Sequence, residues 1–135
     1  MLVDKYEVPK DLYYSKEHEW ARLNDEYVTV GITDYAQKSL HEIVYVELPE
    51  VGAQVKQMEM FGTVESVKAV SDIYSPISGI IIEVNEVLID KPEILNIDPY
   101  DEGWIAKIKP RRLKEDLKNL MNYEEYIQYL QTLEK

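Results

Sequence analysis

From Glu19 to Pro110 the chain is written in short β-type runs, each ended by turn residues before a helix can establish its period. EWARL (19–23) and YVTVG (27–31) alternate around Asn24-Asp25-Glu26, which predicts a hairpin. IVYVELP (43–49) is a strand closed by Pro49 and the Gly52 turn. VKQMEMFGTVESV (55–67) is β-rich, with Gly62 expected at a bulge or close approach. AVSDIYSP (69–76) and GIIIEVNEVL (79–88) follow, punctuated by Ser75-Pro76 and Ser78-Gly79, and WIAKIKP (104–110) is the last strand.

Helical signals are confined to three places. Thr33 is a candidate cap for a short helix over ITDYAQKSL, and a helical turn is expected near Glu93–Leu95. From Arg111 the period becomes helical. Leu113, Leu117, Leu120 and Met121 share a face, and Asn122 with Glu125 reads as a capping box before Tyr126, Ile127 and Leu130. Residues 1–12 read as a polar N-terminal arm, and 13–135 as one domain. The class is mainly β with α: a sandwich or barrel with a short internal helix and C-terminal helices.

Composition narrows the function. At 135 residues with 45% hydrophobic content, the chain is large enough to bury a core. A net charge of −11 disfavours nucleic acid and anionic membranes, and favours basic partner surfaces. The sequence has no cysteine, which removes disulfides, thiolate catalysis and cysteine metal sites. No apolar run approaches the roughly 18 residues of a membrane span. The first residues, rich in acids, resemble neither a secretory nor a transit signal, so a cytoplasmic location is expected, or the mitochondrial matrix for a processed eukaryotic chain.

Catalytic motifs are scarce. His18 and His41 each lie beside glutamate, but strand geometry sends Glu17, His18 and Glu19 to alternating faces, so no metal is expected. Phosphate loops, nucleophile elbows and dinucleotide fingerprints are absent. Tyr123, Tyr126 and Tyr129 form a stripe suited to packing against the sheet. Lys68 is different. It stands between β segments, next to small and β-branched residues, with Glu65 three positions before and Asp72 four after. The runs from Gly52 and from Gly79 are weakly alike, and pairing of two such halves puts Lys68 at an exposed tip. There an enzyme that modifies lysine can reach it, with the two acids as flanking recognition elements.

YSKEHEW (14–20), VTVGITDYAQ (28–37), IVYVELPEVG (43–52), FGTVESVKAVSDIYSPISG (61–79), VNEVL (84–88) and DPYDEGWIAKIKP (98–110) together resemble the glycine cleavage H-protein family. The resemblance implies a lipoyl-domain-like barrel-sandwich hybrid, and lipoic acid in amide linkage on Lys68. It implies a carrier, not an enzyme, whose arm takes an aminomethyl group from the pyridoxal-phosphate-dependent glycine decarboxylase (P protein). The group passes to the tetrahydrofolate-dependent aminomethyltransferase (T protein), and dihydrolipoamide dehydrogenase (L protein) reoxidises the dithiol. A lipoyl-transfer enzyme is a further implied partner, and a monomer is expected. Glu19 and Asp72 match positions that shelter the loaded arm. His41 and Met58 stand where the family usually has glycine, and Ser39 where some members have histidine. Two other readings stay open: a relative serving sulfur oxidation or lipoyl relay, and an unmodified interaction module whose Lys68 is only a surface charge.

Overall fold

In the computed structural model, residues 2–3 and 5–133 are described. The β-rich part forms two sheets. The larger has the order β3 (Tyr13–Tyr14), β4 (Glu19–Leu23), β5 (Val28–Ile32), β11 (Ala106–Pro110), β10 (Gly79–Val84) and β7 (Gln54–Val55). The smaller places β8 (Met60–Ser66) between β6 (Ile43–Glu47) and β9 (Val70–Tyr74). Every pairing is antiparallel. The sheets face each other without closing into a barrel, as expected of a barrel-sandwich hybrid. Val28, Val30, Ile81 and Ile108 from the larger sheet meet Ile43, Val46, Val64 and Ile73 from the smaller in one apolar core. Alternation along each strand puts these residues inward, and each fully buried aliphatic side chain contributes about 1.5–3 kcal/mol.

Several boundaries differ from the sequence reading. The long run 55–67 is broken at 56–59, where Met58 adopts φ 68° and the chain changes sheets. The Gly62 irregularity is present: the register shifts between Met60 and Gly62, and a Cβ there would lie 2.6 Å from the Glu47 carbonyl oxygen. The run from Gly79 ends at Val84. Asn85 stops it by donating to the Glu102 and Trp104 carbonyls, both at 2.8 Å. The next residues turn into α2 (Val87–Asp90) and α3 (Ile94–Ile97). Met121 is not helical; it pairs with Tyr14 through two backbone hydrogen bonds of 2.8 Å. Helix α1 (Asp34–Leu40) starts as expected, with Thr33 Oγ1 accepting from the Ala36 N–H.

The N-terminal stretch departs from a polar arm. β1 (Leu2–Val3) and β2 (Tyr6–Glu7) form a small hairpin, and Tyr6, Val8 and Leu12 are buried. They join Tyr14, Trp20, Tyr100, Tyr126 and Leu130 in a second, aromatic core beneath α5 (Tyr123–Leu133). Hydrophobic residues scattered among charges carry no period, which hides this burial from pattern reading. Between β11 and α5 lies α4 (Leu113–Leu117). The capping box of α5 is formed, with Asn122 and Glu125 exchanging backbone-to-side-chain bonds of 2.9 Å. No helix is long and apolar enough to cross a membrane among the described residues.

Candidate functional site

Strands β8 and β9 are joined by Val67, Lys68 and Ala69, and the Ser66 N–H bond to the Ala69 carbonyl closes a two-residue loop of Val67 and Lys68, so Lys68 sits at the end of a hairpin as expected. The partner of β8 there is β9, whereas the strand from Gly79 pairs with β7 and β11. Two-residue hairpin loops favour positive φ, usually supplied by glycine or asparagine. Here neither Val67 nor Lys68 has positive φ. Ser66 solves the problem. Its hydroxyl oxygen accepts from the N–H groups of Lys68 (3.1 Å) and Ala69 (3.0 Å), and the Ser66 N–H donates to the Ala69 carbonyl at 2.8 Å. The Val67 N–H donates to the Glu42 carbonyl at 3.0 Å, which ties the tip to the segment between α1 and β6. The backbone under Lys68 is therefore held by four hydrogen bonds while its side chain stays exposed.

The amine itself is lightly engaged. Lys68 Nζ donates to the Ser39 carbonyl at 3.3 Å, and no carboxylate lies within 4 Å among the described residues. Val67 and Val70 are about two-thirds exposed beside it. The outer face of the small sheet continues with a row of Tyr45, Glu65 and Val70, then one of Glu47, Thr63 and Asp72. Glu65 and Asp72 are thus exposed on the same face, next to the tip.

Glu19 sits elsewhere. It is 2% exposed, at the start of β4, and reaches the end of β9 remote from Lys68. Ser15 Oγ donates to one carboxyl oxygen at 2.5 Å, and the Tyr74 N–H donates to the other at 3.1 Å. Burial pushes its pKa up to about 7, against those two hydrogen bonds. Tyr74 lies six residue steps from Lys68, about 20 Å of extended chain, with Asp72 between them. The structure therefore groups Lys68, Glu65 and Asp72 on one face, with Glu19 under the far end of β9.

Ser66, Ser39 and Glu42 are the site residues the sequence reading missed. Ser66 had a signal, since serine before a tight loop often caps it. Ser39 and Glu42 contribute only carbonyls, which every residue owns. Among the described residues no three His, Asp or Glu side chains converge on a metal position. His41, between Ser39 and Glu42, takes φ 66° and ψ −146°, a shape ordinarily reserved for glycine.

Comparison with known proteins decides what this tip belongs to. The family model described as glycine cleavage H-protein matches residues 12–133. This chain belongs to the glycine cleavage H-protein family. It is 60% identical to the probable glycine cleavage system H protein of Pyrococcus abyssi over 132 residues, 97% of this chain and 98% of the relative. It is 57% identical over 118 residues to the glycine cleavage system H protein of Geobacillus kaustophilus, covering 87% and 92% of the two chains. The crystal structure of a glycine cleavage system H protein from Mycobacterium marinum superposes with a TM-score of 0.83 at 38% identity, covering 90% of this chain and 97% of that one. The family is one of lipoate carriers, and the role of this chain is that of a glycine cleavage H protein: it carries the aminomethyl group between steps of glycine cleavage.

Proposed function

We propose that Lys68 is the residue of this chain that takes the lipoyl group, and that the chain works as a carrier without an active site of its own. The observation that carries this is the tip: an exposed amine, free of carboxylates, on a two-residue loop pinned by Ser66 and Glu42. Residue and cofactor fit each other. Acylation removes a charge that no carboxylate within 4 Å pairs among the described residues, and the exposed apolar surface of Val67, Val70 and Tyr45 offers an apolar arm somewhere to lie. Lipoate on Lys68 supplies the disulfide and dithiol chemistry that this cysteine-free chain lacks.

The other roles follow from position. Glu65 and Asp72 present carboxylates to the lipoyl-transfer enzyme and to the P, T and L proteins as these approach the tip. Asp72 lies on the path from Lys68 toward Tyr74, where an arm laid along β9 runs, and Glu19 waits at the end of that path. A carboxylate at the end of a sheltered path holds an ammonium by charge-assisted hydrogen bonding.

Intact-mass analysis after incubation with a lipoyl-transfer enzyme and lipoate tests the assignment. One lipoyl mass is expected on the wild type and none on Lys68→Arg, which keeps the charge but offers no acylable amine. Both proteins should melt alike, because exposed positions away from caps change stability by only about 0.5 kcal/mol. Uptake by Lys68→Arg would remove the assignment.

A further inference from the structure

Most of this acidic molecule repels anions, yet one corner gathers cations. At the end of β8 remote from Lys68, Lys56, Arg111 and Arg112 line an open concavity of about 350 Å³ with Ser78 and Asp116. Three positive side chains against one carboxylate leave two net positive charges, in a chain of net charge −11. The Asp116 carboxylate is already engaged. One oxygen accepts from the Ser78 N–H at 2.7 Å, and the other lies 3.9 Å from Arg112 Nε. Two other carboxylates lie close by. Glu59 accepts from the Lys56 N–H at 3.2 Å, and Glu115 pairs with Lys118 at 3.7 Å. Among the described residues, Lys56 and Arg111 have no carboxylate within 4 Å of their charged groups.

The floor is fixed. Gln57 donates through Nε2 to the Pro76 carbonyl (3.0 Å) and the Asp116 carbonyl (2.8 Å), and accepts from Asn119 at 2.9 Å. Ser78, 4% exposed, accepts the Gln57 N–H at 2.8 Å through its hydroxyl oxygen, and its own O–H proton has no acceptor among the described residues. Donors without partners thus point to one place: a buried hydroxyl, a guanidinium and an ammonium. Arg111 also lines a second concavity of about 230 Å³ whose surface is mainly apolar, with Ile80, Pro110 and Gly79.

We propose that this corner binds a phosphate ester. The phosphate sits among Lys56, Arg111, Arg112 and Ser78, and the organic part rests on Ile80 and Pro110. Lys56 and Arg111, with no carboxylate within 4 Å of their charged groups among the described residues, are free to pair with a phosphate dianion, and a guanidinium holds phosphate oxygens in a fixed fork. The ligand binds about 20 Å from the lysine tip along β8, so it does not compete with the carrier role.

Titration of ¹⁵N-labelled full-length protein at pH 7.5 and constant ionic strength tests this, with inorganic phosphate, phenyl phosphate and acetate as probes. Both phosphates should give saturable shifts at Gln57, Ser78 and the Arg111 and Arg112 Nε–H groups. Phenyl phosphate should also move Ile80 and bind more tightly. Arg111→Gln and Lys56→Gln, both at exposed positions, should each weaken binding about tenfold, the weight of one charge-assisted hydrogen bond, with the other amide positions unchanged. Acetate binding as well as phosphate, or an Arg111→Gln variant of unchanged affinity, overturns the site. Equal binding of the two phosphates with Ile80 unmoved overturns the ester.

Discussion

His41 and Met58 share a feature that costs this chain stability: positive φ, 66° and 68°, on side chains with a Cβ. The ψ of −146° at His41 puts it in a region that only glycine occupies freely, at a strain of about 1–3 kcal/mol. Glycine would remove that strain and add about 0.5–1 kcal/mol of unfolded-state entropy. His41→Gly is therefore expected to stabilise the protein by about 1 kcal/mol, read as a raised urea midpoint at unchanged slope. An unchanged or lowered midpoint would show that the histidine ring supplies a compensating contact. Both positions were legible as departures, because each replaces a glycine the family usually has. The ψ value was not, since nothing local distinguishes the left-handed region from its glycine-only neighbour.

At the scale of elements, the β8–β9 hairpin rests on one hydroxyl. Ser66→Ala removes the acceptor of two backbone N–H groups, so a loss of about 1 kcal/mol is expected. The local sign is faster amide exchange at Lys68 and Ala69 with the remaining strands unaffected. Exchange rates equal to wild type would mean that the Glu42 carbonyl alone holds the loop. The hairpin was legible because β-branched runs flank it and Lys68 interrupts them. Its sheet neighbours were less so. β6 and α1 lie well before the tip in sequence; the folded register of Tyr45, Glu65 and Val70 brings β6 to it, and the Ser39 carbonyl brings α1. The aromatic core under α5 was partly visible as the tyrosine stripe. Its other half, Tyr6, Val8 and Leu12, was concealed in a charged segment without periodicity.

Over the whole molecule, two adjacent groups, buried Glu19 and half-buried His18, set opposed pH limits. Glu19, raised to about 7 from 4.5, favours the protonated acid; its contribution is complete below pH 4.5 and is lost as pH rises to 7. His18 is lowered by burial to about 4 from 6.5, with its ring against Tyr35 and its Nδ1 2.8 Å from the Tyr126 hydroxyl. Its contribution is complete above pH 6.5 and is lost as pH falls to 4. Each shift corresponds to about 3 kcal/mol at full effect. Glu19→Gln should therefore gain stability relative to wild type between pH 4.5 and 7 and hold it above. His18→Asn, which tolerates the positive φ, should gain as pH falls from 6.5 to 4. Thermal melts of the three proteins across this range check both, and pH-independent differences would sink the pair of assignments.

The two-residue loop at Lys68 has a consequence for how quickly partners find their target. Its backbone is already ordered, so an enzyme that docks there does not have to freeze a wandering segment, a cost of about 1–2 kcal/mol for each residue fixed. What moves is the side chain beyond Cα, turning about single bonds from a stationary pivot. The volume it sweeps is set by its own length, and under the proposed attachment at Lys68 successive partners meet the cargo at an address that does not drift.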